Sequence, residues 1–394
     1  MRRGERPDHD TEMNSKQRIH AALEGKPVDR WPVTSLYSFL YHLDHFSELT
    51  GLPAWRAAWW LAAPPDEHAA VFAQLHQGAP LELLQPQHDA PPRAWRERQT
   101  LVERDGHPWR HDRATGEYER LDLPTRSGHA TDYRANETQF VFDARDAAEQ
   151  VMVTPAGRLL ADGANDYIDA VVARFGREEF IVSGGVLGTL YACHAYVGLT
   201  NLYAMLVEEP ALIDELSRRI LEQNIEIIRR LAAAGGDAIY IDDAMTTSDM
   251  ISAAHYERFC QPHIKAMVDE IHRLGHKAIV IYFGGIADRL DAIAGTGADG
   301  LACETSMKGY VNDIGRFAEG IGGRITLFGN IDPVGVLQDA GDAELEAEVL
   351  RQIAAGGRAR GFISCTGSPI TPATPASRVR RFIELARRHG RMAA

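Results

Sequence analysis

KAIVIYFGG, residues 277–285, is an apolar run of strand length that stops on paired glycines. It follows AAHYERFCQPHIKAMVDEIHRLG (253–275), where Phe259, Ile264, Met267, Val268 and Ile271 recur at helical spacing. The same alternation extends in both directions. FIVSGG (180–185), AIYIDD (238–243), GLACET (300–305), RITLFGNID (324–332) and GFISCTG (361–367) are short apolar runs, each followed by a helical stretch. Runs that are apolar on both faces and alternate with helices predict a parallel α/β sheet. RWPVTSL (30–36) and LELLQP (81–86) supply two earlier strands, giving eight. Eight is the number that closes a (β/α)8 TIM barrel.

Residues 92–145 break the pattern. WRERQTLVERDGHPWRHDRATGEYERLDLP (95–124) alternates polar and apolar residues around Asp105-Gly106 and Thr115-Gly116. That predicts an antiparallel β insertion before the third barrel strand. Residues 1–13 read as a disordered leader and 14–394 as a single domain, beginning with NSKQRIHAALEG (14–25). In that segment a capping residue starts the helix and a glycine ends it.

The balance of 42 basic against 55 acidic residues gives a net charge of −13. Such a surface repels phosphate backbones and anionic lipid, so no nucleic-acid or membrane partner is expected. Apolar runs such as Ala278 to Phe283 are too short to span a bilayer. Cys193, Cys260, Cys303 and Cys365 have no paired spacing, which argues against a disulfide framework and for a cytoplasmic protein. No GxGxxG or GxxxxGK[ST] follows a strand, so a dinucleotide or P-loop site is not expected.

A TIM barrel does its chemistry at the carboxyl ends of its strands. Those ends carry Asp242, Asp243, Tyr282, Phe283, Glu304, Asn330, Asp332, Cys365, Thr366 and Ser368. Asp243, Glu304 and Tyr282 are the candidate catalytic residues, with Asp243 or Glu304 as the acid. Asp242, Phe283, Asn330, Asp332, His194, Cys365, Thr366 and Ser368 are candidate substrate contacts. Adjacent carboxylates point to opposite faces of a strand, so only one of Asp242 and Asp243 can face a pocket. Structural roles compete with these. Asp242 and Asp243 could cap the next turn, Glu304 could be an N-terminal helix charge, and Asn330 and Asp332 could shape a loop. In the last loop, Thr374 and Pro375 read as the capping hydroxyl and first residue of the final helix.

GGDAIYIDDA (235–244), FCQPHIKAMVDEIHRLG (259–275), ETSMKGYVNDI (304–314), LFGNIDP (327–333) and CTGSPITPATP (365–375), with DRWPV (29–33), occur in an order that resembles the uroporphyrinogen decarboxylase superfamily. The resemblance runs from about residue 14 to 390 and is strongest after 230. It implies a distorted barrel with the cleft at the strand ends, and a homodimer. It also implies one of two chemistries: cofactor-free decarboxylation of a tetrapyrrole, or methyl transfer with a corrinoid carried by a partner protein, often with zinc. The decarboxylases hold their substrate with arginines in a loop after the first strand, where this chain reads TSLYSFLYHLDHF (34–46). The zinc methyltransferases carry His-x-Cys and a later Cys where this chain has Ile281, Phe283 and Ser368. None of these is a zinc ligand. A displaced site on Asp243, Glu304 and Cys365 is the alternative.

The leading expectation is therefore methyl transfer from, or demethylation of, a small methylated substrate. No cofactor is held tightly, and a separate corrinoid protein or other one-carbon acceptor takes the methyl group. The alternatives are a cofactor-free decarboxylase of a smaller acid and a non-catalytic ligand-binding barrel.

Overall fold

A computed structural model of the chain describes residues 12–86, 89–121, 146–307 and 309–392. Seven parallel strands form one sheet in the order β1 (Leu83–Leu84), β5 (Phe180–Leu187), β6 (Ala238–Asp242), β7 (Lys277–Tyr282), β8 (Gly300–Cys303), β9 (Thr326–Phe328) and β10 (Phe362–Ile363). The expected strand at 30–36 closes the ring with very little regular structure. Val33 bridges Ser364 in parallel, Ser364 N–H donates to Pro32 O, and Glu82 N–H donates to Val33 O. All eight apolar runs thus take their places around an α/β TIM barrel.

The antiparallel insertion is present between β1 and β5. It is a three-stranded sheet of β2 (Gln99–Arg104), β3 (His107–Asp112) and β4 (Tyr118–Arg120). Arg104 pairs with His107 across Asp105-Gly106, whose φ values of 54° and 73° are those of a type I′ turn. The rest of the expected insertion, from 122 to 145, lies outside the described residues, as do residues 1–11 of the expected leader.

Period-two alternation sorts the strand side chains into two layers. Phe180, Ala238, Tyr240, Ile279, Ile281, Ala302, Phe328 and Ile363 fill the barrel interior, together with Ile19 and Leu23 of the first helix, Ser15–Leu23. That helix begins with a capping box between Asn14 and Gln17 and plugs the amino-terminal end of the barrel. Ile239, Ile241, Val280, Tyr282, Leu301 and Leu327 point the other way and pack against the helical shell. The 253–275 segment forms two helices, Ala253–Phe259 and Gln261–Arg273, which bury Phe259, Ile264, Met267, Val268 and Ile271 as expected. All four cysteines are free and buried. Among the described residues, no single helix is long and apolar enough to cross a membrane.

The start of the last helix, Ala376–His389, differs from expectation. Pro375 is the N-cap, and Thr374 Oγ1 bonds Thr371 Oγ1 at 3.0 Å instead of capping. The Ala376 N–H donates to Glu48 Oε1 at 2.9 Å, so a carboxylate from a segment far away in sequence supplies the cap.

Candidate active site

The two layers continue past the strand ends and divide the paired aspartates. Tyr240 is interior and Ile241 exterior, so Asp242 comes out over the barrel mouth and Asp243 turns into the wall. Asp242 is half-buried. Its Oδ2 accepts from the Tyr37 hydroxyl at 2.5 Å and its Oδ1 from the Ala244 N–H at 3.1 Å. Burial raises its pKa to about 6, against the opposing pull of the Tyr37 hydrogen bond.

Asp243 is completely buried. Its Oδ2 accepts from Thr246 Oγ1 at 2.5 Å, while Oδ1 has no hydrogen-bond partner. That oxygen lies against Gly188, where an added Cβ would stand 2.0 Å from it. Only a glycine lets the β5 end cross the carboxylate this closely. Burial raises Asp243 to about 7, and the neighbouring Asp242 charge adds to the shift. Its neighbours belong to the outer layer. Arg289 and Tyr256 act on it electrostatically, and Arg289 itself donates to Thr246 O and Ile251 O.

Tyr282 falls in the same outer layer. It is fully buried, and its hydroxyl bonds that of Tyr256 at 2.6 Å. Phe283, one residue on, is half-buried at the mouth, its ring 5.4 Å from that of Tyr37. Glu304, on the inner register after β8, bonds the Tyr310 hydroxyl through Oε2 and Ser368 Oγ through Oε1 at 3.4 Å. The structure therefore brings Asp242, Phe283, Glu304 and Ser368 to the mouth, and it places Asp243 and Tyr282 behind them.

The other candidates serve the frame of the mouth. Asn330 is buried and donates to Asn312 O at 2.8 Å and Glu304 O at 3.2 Å, tying the β8 and β9 loops together. Asp332 caps the turn of helix at Pro333–Gln338 by accepting from the Val334 and Gly335 N–H groups. His194 stacks on Tyr191 and bonds the Tyr191 carbonyl at 2.5 Å. Cys365 is fully buried in the interior layer, where burial pushes its thiol pKa up. Thr366 is equally buried and bonds Ser35 Oγ at 2.8 Å. Of the last loop, only Ser368 among the three expected residues reaches the mouth.

Asp243 and Cys365 lie on opposite faces of the wall, so the displaced set of Asp243, Glu304 and Cys365 does not come together. Among the described residues, no three His, Cys, Asp or Glu side chains form a metal-binding group. The zinc-family positions hold interior Ile281, mouth-facing Phe283 and the Glu304 partner Ser368.

Two site residues escaped the sequence reading. Tyr37 stands just past the first strand with φ 48°, a left-handed conformation that costs a non-glycine residue of order 1 kcal/mol or more. Tyr310 follows Glu304 by six residues in the same loop. Both are tyrosines on strand-end loops, and that position was the available signal.

The uroporphyrinogen decarboxylase (URO-D) family model matches residues 163–389, more than half of the chain. The chain belongs to the uroporphyrinogen decarboxylase family. A uroporphyrinogen decarboxylase of Azotobacter vinelandii is 34% identical over 191 residues, 46% of this chain and 49% of that protein. That alignment spans about half the length of the relative. The Alkalilimnicola ehrlichii uroporphyrinogen decarboxylase aligns over 364 residues at 26% identity, 91% of this chain and 90% of the relative. Among solved structures, a methyltransferase from Methanosarcina mazei superposes with a TM-score of 0.67 over 95% of this chain and 98% of its own, at 19% identity. At that identity the likeness shows a common barrel.

Proposed function

We propose that the barrel mouth catalyses acid-assisted demethylation of a small neutral or cationic methylated substrate, with Asp242 as the acid. The observation that carries this reading is the Tyr37–Asp242 pair: a strand-end carboxylate, raised to about 6, held at 2.5 Å by a hydroxyl. Breaking a methyl–oxygen bond leaves an alkoxide or phenolate, and a positioned acid lowers that barrier by protonating it. A carboxyl raised towards neutrality can both hold and release a proton near physiological pH, as a general acid must. Tyr37 fixes the carboxyl orientation, and Phe283 offers an apolar face for the substrate. Glu304, steadied by Tyr310 and Ser368, supplies a second carboxylate that favours neutral or cationic substrates over acids.

The methyl acceptor is external in this reading. A reduced corrinoid on a separate protein would supply the nucleophile that receives the methyl group. Exposed Leu187 at the carboxyl end of β5, with exposed Val311 and Val334 after β8 and β9, gives an approaching partner apolar contacts on the mouth side.

The curated relatives favour a second reading, decarboxylation, since one of them aligns along 91% of the chain. Asp242 would then protonate the carbon that loses carbon dioxide. The two mouth carboxylates count against a substrate with many acidic arms. One experiment separates the readings. Purified protein is incubated with reduced free corrinoid and a panel of methyl ethers and methylated amines, and separately with uroporphyrinogen. Methylation of the corrinoid is expected. Carbon dioxide release from uroporphyrinogen without methyl transfer would contradict the proposal.

A further inference from the structure

The amino-terminal face of the barrel, opposite the mouth, carries an excess of positive charge that neither the fold nor the proposed chemistry uses. The last helix and the residue pair after it project Arg380, Arg387, Arg388 and Arg391, at spacings of seven, one and three residues, towards one side. They line a cleft of about 790 Å³ together with Arg30. Among the described residues, Arg380, Arg387, Arg388 and Arg391 form no ion pair with a carboxylate. Arg380 donates to Gly78 O and Arg387 to Pro80 O, both backbone acceptors. The Nε of Arg387 is buried with no partner.

Three acids also line the cleft: Glu12, Asp29 and Glu384. Asp29 is occupied by Arg18 at 2.7 Å, and Glu384 pairs with Arg381 at 3.0 Å. Arg30 is held by both oxygens of Glu82. The backbone even forces like charges together. Arg30 and Arg391 are partners in an antiparallel bridge, an arrangement that costs stability unless something lies between the charges. Burial lowers the Arg387 pKa; Glu82 and Glu179 pull against that shift, while Arg30 and Arg18 add to it. The helix dipole accounts for cations in the last turn, at Arg387 and Arg388. It does not account for Arg391 facing Arg30, in a chain whose net charge is −13.

We propose that this cleft binds a small, multiply charged anion of the diphosphate or polycarboxylate kind. Guanidinium groups match either oxyanion through paired N–H donors, and several unpaired guanidiniums in one cleft suit a compact polyanion better than a single charge. Such a ligand would neutralise the Arg30–Arg391 contact and tie the end of the last helix to the first strand segment.

The test is thermal unfolding of the full chain titrated with pyrophosphate and, in parallel, with citrate, at matched ionic strength. A saturable rise of the midpoint with either anion is expected, beyond the effect of sodium chloride. Pyrophosphate alone would mark a phosphate ligand, and citrate alone a polycarboxylate. The double variant R388S/R391S removes two exposed, unpaired side chains and the Arg30–Arg391 repulsion, so its midpoint without anion should equal or slightly exceed the parent's. Its anion affinity should fall by at least about tenfold. No rise above the salt control with either anion, or an unchanged affinity in the double variant, would overturn the proposal.

Discussion

The inner and outer faces of the β6 and β7 ends carry almost the same chemistry and lead to different roles. Each has an aspartate with a raised pKa and an aromatic neighbour: Asp242 with Phe283 inside, Asp243 with Tyr282 outside. The inner aspartate is half-buried, hydrogen-bonded to a mouth tyrosine and within reach of a ligand. The outer one is sealed under Gly188, with one oxygen unpaired. A shifted pKa alone does not identify a catalytic group, because structural burial shifts it as well. Access to the mouth separates the two.

The sharpest way to break this comparison is D242N. It removes the proposed acid without changing shape, and turnover of an identified substrate should fall by about 10²–10⁴-fold at constant folded fraction. D243N acts on stability instead. Asp243 titrates near 7 in the fold and near 3.8 when unfolded, so the native state binds the extra proton between those values. Its contribution is complete below the unfolded pKa and is lost as pH rises through about 7. Asp242 follows the same sign up to about 6. Unfolding free energies from denaturant titrations between pH 5 and 8 should therefore fall less steeply in D243N, by a difference on the order of 2–4 kcal/mol across the range.

Y282F is a smaller change in the outer layer. Losing the hydroxyl partner of Tyr256 should cost roughly 1–2 kcal/mol in unfolding free energy and leave turnover near the parent value. Y37F is the most delicate. Its hydroxyl lowers the Asp242 pKa, so removing it should move the alkaline limb of the rate profile upward. An unchanged limb would detach Tyr37 from the acid.

The barrel was legible because strands buried on both faces leave apolar runs that composition alone separates from the helices. That property also hid the site. A strand apolar on both faces does not reveal which parity faces inward, so Asp242 and Asp243 could be recognised as opposed but not assigned. Tyr282 and Phe283 exchange places for the same reason. The short runs at 30–36 and 81–86 were found, although only a bridge and the two residues of β1 make regular pairs there. Tyr37 depends on a contact with β6, and Glu48 caps a helix more than 300 residues away, so no local pattern announces either. Cys365, Thr366 and Ser368 were all expected at the mouth, yet Cys365 joins the interior packing and Thr366 is buried with its hydroxyl on Ser35, leaving Ser368 alone there.

The most direct test is a paired kinetic comparison of D242N and D243N on the same methylated substrate at pH 6. Asp242→Asn should lose at least about a hundredfold in kcat, while Asp243→Asn should stay within about threefold of the parent. The reverse ranking, with Asp243→Asn inactive and Asp242→Asn intact, would contradict the assignment of the inner face as the catalytic one.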